Sequence, residues 1–458
     1  MPRLIALCLL LTGCMAGPDY ERPVLPLPEQ HRVDADIELT GDELPQWQVV
    51  FQDPVLQGLI QRGLENNLDL AVARSRLREA EAALTRARAP LYPSIDLGTE
   101  GERERESELT DAGATEDTYT FLGLLSWELD IWGFTRRRAE AAEAALQSAQ
   151  WSIYARQVSL IGAIAASYYN LVAVSEQIDV TNSTIATRVQ ALKIQELRNA
   201  SGVISGLAVA QAKVALAEAE QQLPTLLNSR LVFENQLRRL LGEAPAAVTG
   251  TTALEDIPLE TGLPPGLPAE LLERRPDVRI AELGLVAANA SVGVAKADLF
   301  PRVSLTGSFG NESAELSDLL DSAGRAWIAT IGVVQPVFNA GDRRAALTAA
   351  WEVREQAQLA YTDTVLGSLE EVSNSIDRLA RSNELSASTA RLRDASREYL
   401  RLASLRYNNG VIDYIGVLDA QRQYFDAELS LIDAVRDQHL SIAQLYRALG
   451  GGWTPEES

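Results

Sequence analysis

Two cysteines and two histidines are all that the 458 residues offer to thiol or imidazole chemistry. His31 lies in a polar stretch near the start and His439 far away near the C-terminus. No acid or cysteine is spaced to complete a metal site or a triad around either one. Both read as surface residues, and no catalytic constellation, cofactor or metal site is expected. The cysteines have a different context. Arg3, an apolar run from Leu4 to Leu11, and then Leu11-Thr12-Gly13-Cys14 form a short export signal with small residues ahead of a cysteine. That arrangement suits cleavage after residue 13 and acylation of Cys14. Cleavage removes Cys8 and leaves no disulfide and no thiol catalyst. Met15 follows, where lipoproteins retained at the inner membrane carry Asp, so the expected destination is a bacterial outer membrane.

Two carboxylates, Asp413 and Asp419, are candidates for a role by charge. An acid repeated by symmetry around an axis makes a ring of the kind that gates and selects in pores. Each has a plainer reading too. Asp413 suits a helix cap, and Asp419 suits the first turns of a helix, where the dipole favours an acid. Their difference emerges only from the elements that carry them.

Those elements come in two copies. Residues 67–99 overlie 275–307, matching Asp69 with Asp277, Ala87 with Ala295, Leu91 with Leu299 and Pro93 with Pro301. The same offset of 208 residues continues without a gap through Gly133/Gly341, Gly202-Val203-Ile204/Gly410-Val411-Ile412 and Leu241-Gly242/Leu449-Gly450. Self-similarity of this kind marks a tandem duplication. Under it Asp413 matches Ser205, another capping type, whereas Asp419 matches the neutral Gln211, so the copies differ in charge there.

Within each copy the hydrophobic period changes in one order. A helix from near Asp69 to Arg88 stops before Pro93. Alternation follows at Ile95, Leu97 and Thr99, and at Val303, Leu305, Gly307 and Phe309. After polar loops (103–117 and 312–324), it returns at Phe121, Leu125, Trp127, Leu129 and Ile131, and at Trp327, Ile331, Val333 and Val337. These runs approach the length of a tilted membrane strand, with Trp127 and Trp327 as candidates for the bilayer interface. Then come very long helices, to about Asn199 and Tyr407. Ile164, Leu171, Ile178, Ile185 and Leu192 recur every seven residues, with Tyr154, Ile161, Tyr168 and Val189 at the other seam position, as in a coiled coil. The helices turn at Gly202 and Gly410, with Arg198 and Arg406 in their last turns and Ser205 and Asp413 as N-caps of the returning helices. The first returning helix is expected to kink at Pro224.

The predicted organisation is therefore a signal peptide (1–13), a lipid-anchored strap and linker (14–64), repeat 1 (65–242), a Pro/Gly-rich linker (243–272), repeat 2 (273–450) and a tail (451–458). The strap begins with a proline-rich stretch that favours an extended chain. The net charge of −22 leaves nothing to neutralise phosphates and excludes nucleic acid as a partner. No window approaches eighteen uninterrupted apolar residues. Four strands cannot close a barrel, and an open edge in lipid leaves backbone groups unpaired. Either the strands are not in a membrane, or several chains pool them. Three chains would supply twelve strands and two would supply eight, and this arithmetic alone leaves the number open.

Several motifs together resemble one family. They are Cys14-Met15-Ala16-Gly17-Pro18-Asp19-Tyr20-Glu21-Arg22-Pro23, Trp47 with Phe51-Gln52-Asp53-Pro54, Leu272-Glu273-Arg274-Arg275-Pro276-Asp277-Val278, Phe300-Pro301, Gln335-Pro336-Val337-Phe338, Leu418-Asp419-Ala420-Gln421-Arg422 and Leu449-Gly450-Gly451-Gly452-Trp453. Along essentially the whole chain this resembles the NodT-type efflux lipoproteins of the TolC-like outer-membrane factor family. The resemblance implies a mostly α-helical chain that contributes strands to a twelve-stranded membrane β-barrel in a homotrimer, above a long periplasmic helical tunnel. It also implies docking to a periplasmic adaptor and an inner-membrane RND-type pump. The hairpin tips, with Arg198, Gly202, Ser205, Arg406 and Gly410, would be the adaptor contacts, and Asp419 and Asp413 the candidate gate. An exit duct for secreted polypeptides is the nearest alternative, though such members usually lack an acyl anchor. A structural periplasmic coiled-coil lipoprotein is the other, and it would need no lipid-facing apolar band.

Overall fold

The structure, a computed structural model, describes residues 15–32, 45–105, 107, 115–259, 263 and 268–451. The signal peptide, Cys14 and the tail beyond Gly451 lie outside them. The first copy of the repeat supplies α3 (Leu68–Arg88), β1 (Ser94–Arg105), β2 (Thr115–Leu129), α4 (Phe134–Ala200) and α5 (Gly206–Leu240), after two shorter helices, α1 (Trp47–Val50) and α2 (Pro54–Asn66). The short α6 (Leu271–Arg274) leads into the second copy: α7 (Pro276–Ala297), β3 (Arg302–Ser313), β4 (Arg325–Val334), α8 (Asp342–Asn408) and α9 (Tyr414–Ala448). The long helices α4 and α8 are each 67 residues, and their partners α5 and α9 each 35. At a rise of 1.5 Å per residue, α4 and α8 each extend on the order of 100 Å.

Both turns between long helices close in the same way. Gly202 and Gly410 take φ of +73° and +72°, a conformation that costs a residue with a Cβ. The Val203 N–H then reaches the Arg198 carbonyl and the Val411 N–H the Arg406 carbonyl, each at 2.9 Å, satisfying the last turn. Ser205 and Asp413 do stand at the N-cap positions, with extended backbone. Neither side chain makes the expected capping bond. Pro224 lies inside α5, which continues on both sides of it.

The described chain forms two compact units that cut across the repeats, each drawing segments from both copies. Unit 1 comprises Met1–Leu25, Ser75–Trp151 and Ile280–Asp363; unit 2 comprises Pro26–Arg74, Ser152–Arg279 and Thr364–Ser458.

Unit 1 contains one antiparallel sheet in the order β1-β2-β3-β4, so β1 and β4 are its edges. At the hairpin ends the strands run further than the alternation predicted, whereas Ile131, expected in the second strand, lies beyond β2. Arg103 and Asp117, expected in a loop, are cross-strand partners 3.4 Å apart, because a paired charge is tolerated at the wet end of a hairpin. Val337, expected in the last strand, lies beyond β4 and is exposed. At the base of the sheet Trp132 stacks on Phe300 at 4.8 Å and donates to the Pro301 carbonyl at 2.8 Å. The strap is fastened in this unit. The Ala16 N–H donates to the Trp132 carbonyl at 2.9 Å, and Arg22 meets Glu282 through two bonds of 2.6 and 2.9 Å. Arg137, 2% exposed, donates to the Ala16 carbonyl at 3.1 Å and to the Asp19 carboxylate at 2.8 Å.

Unit 2 holds the main apolar core, where Phe51, Leu56 and Ile60 pack with Ile164, Leu171 and Tyr446. Windows of α4 and α7 are apolar enough to cross a membrane by length and composition, but 67% and 50% of them are buried within the fold. The seven-residue seam of α4 is buried at Ile164, Leu171 and Ile178, together with Ile161 and Tyr168. Beyond Ile178 it changes character. Val189, expected in the seam, is exposed, and Thr181, Arg188 and Gln195 take the buried positions instead. The equivalent line in α8 is Ser368, Ser375, Ser382, Thr389 and Ser396, all buried, beside the apolar Val372, Ile376 and Leu379.

The Phe51-Gln52-Asp53-Pro54 segment is structural. Asp53 caps α2 by accepting from the Val55 N–H at 3.0 Å, accepts from the Thr252 hydroxyl at 3.0 Å, and takes a short bond from the Tyr168 hydroxyl. The two copies also close their ends alike. Asn67 donates to the Leu240 carbonyl at 2.8 Å, and its counterpart Arg275 donates to the Ala448 carbonyl at 2.6 Å.

His439 is not a surface residue. It is 2% exposed, stacked on Tyr169 at 4.6 Å, with Nε2 3.3 Å from the Leu254 carbonyl. Burial outweighs that hydrogen bond and the attraction of Asp53 and lowers its pKa to about 4. Between about 6.5 and 4 the unfolded chain binds a proton that the folded chain refuses, so stability falls as pH drops through that window. The loss should approach roughly 3 kcal/mol at its acid end. Chemical denaturation across this range should show a smaller acid loss for His439→Gln than for the parent protein. Equal slopes would clear the histidine of that role.

Candidate functional site

The sheet register sorts the strands into two unlike faces. Cross-strand partners share a face, so Ile95 lies with Leu125, Trp127 with Leu305, Leu129 with Val303, Leu305 with Ile331, Val303 with Val333 and Phe309 with Trp327. The opposite face is mostly polar, carrying Asp96, Glu100, Ser126, Glu128, Ser304, Thr306 and Thr330, with Leu122, Leu124, Ile328 and Val334 among them. The apolar face is bare: Trp327, Ile331 and Val333 are 76%, 68% and 66% exposed. Both expected interface tryptophans belong to this face, and Trp127 also donates to the Leu91 carbonyl at 3.1 Å. Such alternation suits a barrel wall with lipid outside and water inside. With the outer edges of β1 and β4 open, it is a portion of a wall.

In unit 2 the tips of the helical hairpins carry matched apolar residues: Leu197 with Leu405, Val203 with Val411, and Leu207 with Ile415, all more than half exposed. Gly202, Ser205, Gly410 and Asp413 are exposed among them. Arg198 is turned inward, donating to the Tyr407 hydroxyl at 2.8 Å with its guanidinium over the Tyr407 ring. Arg406 remains in the last turn of α8.

Asp419 and its counterpart Gln211 line one groove of about 490 Å³ between α5 and α9. Asp419 accepts from Arg422 at 3.0 Å, from Gln423 at 2.8 Å and, across to α8, from the Tyr399 hydroxyl at 3.3 Å. Asp413 has no such set of partners and sits at the exposed tip. The groove also contains Arg188, which sequence reasoning passed over. Its signal was available, since Arg188 falls seven residues from both Thr181 and Gln195, the other polar residues of the buried line. Burial depresses the pKa of Arg188, against the opposing pull of Glu218 and Asp426.

An amphipathic sheet open at both edges, in one chain with very long helices ending in apolar tips, defines a subunit of an outer-membrane duct. The comparisons make this particular. The sequence model described as outer membrane efflux protein matches residues 59–243 and 267–451, two segments set apart by the same 208-residue offset. The chain belongs to that family. It is 33% identical over 464 residues to the solvent efflux pump outer membrane protein SrpC of Pseudomonas putida, covering 98% of both chains. It is 31% identical to the outer membrane protein OprJ of Pseudomonas aeruginosa, covering 98% of this chain and 95% of that one. Among solved structures, the outer-membrane channel OprN matches with a TM-score of 0.90 at 31% identity, over 96% of this chain and 100% of that one. The open state of the Neisseria gonorrhoeae MtrE outer membrane channel matches with a TM-score of 0.87 at 29% identity, over 96% and 98%.

Proposed function

We propose that this chain is the outer-membrane exit duct of a tripartite efflux pump, working as a homotrimer. The observation that carries the reading is the sheet, with one apolar face, one mostly polar face and two open edges. Each open edge in hydrocarbon would cost several kcal/mol per unpaired group, so copies must join edge to edge. Three copies pool twelve strands. The polar face then lines a water-filled passage, and the family's efflux members support small toxic compounds as cargo. SrpC is described as part of a solvent efflux pump, and apolar solvents are the proposed cargo class. No covalent step is assigned to the chain; energy and selection come from an inner-membrane RND-type pump.

Acylation of Cys14 fits the strap. Ala16 is held at Trp132, three residues past the end of β2, and Met15 packs against Gly133. The exposed apolar pairs at the tips are the proposed adaptor contacts, with Gly202 and Gly410 shaping them.

Purified protein reconstituted into planar bilayers tests the duct. Detergent-dependent trimers with discrete conductance steps are expected. A detergent-independent monomer that leaves the bilayer silent would overturn the reading.

A further inference from the structure

Arg188 is the feature that the duct reading leaves unexplained. It is 5% exposed, and its interactions are few: one short bond to the Ala215 carbonyl and a guanidinium 5.4 Å from the centre of the Phe425 ring. Its Nε is buried with no acceptor. No carboxylate lies within ion-pair distance among the described residues, although Glu218 on α5 and Asp426 on α9 line the same polar groove of about 450 Å³. The equivalent position in the second copy is Ser396, a small buried hydroxyl. The first copy thus places a cation where the second manages with a serine.

A buried charge without a counter-ion destabilises the arrangement that buries it. Here that arrangement is the one in which the Asp419 bonds to Arg422, Gln423 and Tyr399 are made. We propose that Arg188 is a positioning residue that biases the duct toward opening, because a shift of α9 against α5 lets it meet Glu218 or Asp426. The two sites then act in opposition: the Asp419 bonds hold the present arrangement, and Arg188 makes it costly. The exposed carboxylates are natural acceptors, since each lies on a different one of the two helices that bound the groove.

This inference rests on the duct reading, and single-channel recording on the full-length protein in planar bilayers separates the two. Arg188→Met should lower the fraction of time spent open by about tenfold, since an apolar side chain suits the buried site better than an unpaired ion. It should leave the size of the open step unchanged and the thermal midpoint equal or higher. Arg188→Lys, which keeps the charge, should open more often than the Met variant. The double variant Glu218→Gln with Asp426→Asn alters only exposed side chains and should also open less often. A Met variant that opens as readily as the parent would overturn the proposal, as would a Lys variant as silent as Met. Should the Met variant fail to fold, unchanged opening of the double carboxylate variant overturns it instead. A silent parent protein would count against the duct and not against Arg188.

Discussion

Asp419→Ala should raise the conductance of the reconstituted duct severalfold while leaving its assembly intact. The acid accepts from Arg422 and Gln423 on its own helix and from Tyr399 on α8, so its loss frees the start of α9 from α8. All three donors remain accessible to water, so none is left buried and unpaired, and the fold should tolerate the change. A threefold axis would repeat the loss in each subunit. Asp413→Ala is the matched control, because that carboxylate has neither the partners nor the capping bond. Planar-bilayer recording of both variants decides the matter. Equal conductance for Asp419→Ala and the parent protein would remove the gate assignment and leave the duct standing.

The second large effect is expected at the strap. Arg137→Met should release residues 15–25 from the rest of unit 1, seen as about tenfold faster cleavage after Glu21 by a glutamate-specific protease and a lower thermal midpoint. Arg137 is 2% exposed and holds the Ala16 carbonyl, Asp19 and Glu140 together. Asp19 is 92% exposed at its side chain, so its loss of a partner costs little. The cost comes from the Ala16 carbonyl and the packing of the guanidinium stem, about 2 kcal/mol together. Gly293→Ala should give the same result by another route, since a Cβ there would come within 2.8 Å of both the Ala16 oxygen and the Arg137 side chain. Unchanged cleavage after Glu21 in both variants would show that the strap is held by other contacts.

Periodicity and duplication were enough to read the long helices, the paired turns and the four strands, because these are local patterns repeated at a fixed offset. The buried polar groups were not legible in the same way. Asp53, Tyr168 and Thr252 meet across 115 and 199 residues of chain, and nothing local announces that they will. His439 is a different kind of miss. Val435, Ile442 and Tyr446 flank it at helical spacing, so its apolar face was visible, yet the residue type argued for the surface. Arg188 was obscured for a similar reason, its charge masking a seam position. In the sheet the alternation gave the faces correctly but cut the strands short at the hairpin ends, because charged residues such as Arg103 and Asp117 look like loop until their cross-strand partners are known.

The equality of the two hairpins has a further consequence. Helices of 67 and 35 residues occur twice, and Arg198 of one tip touches Tyr407 of the other, so the tips are level neighbours. A residue inserted in one copy alone would raise its tip by about 1.5 Å and turn it by about 100° against its twin. The chain therefore measures one distance twice and checks the two measurements against each other at the turns. Its residue count works as a ruler, and a change in reach must be written into both copies at once.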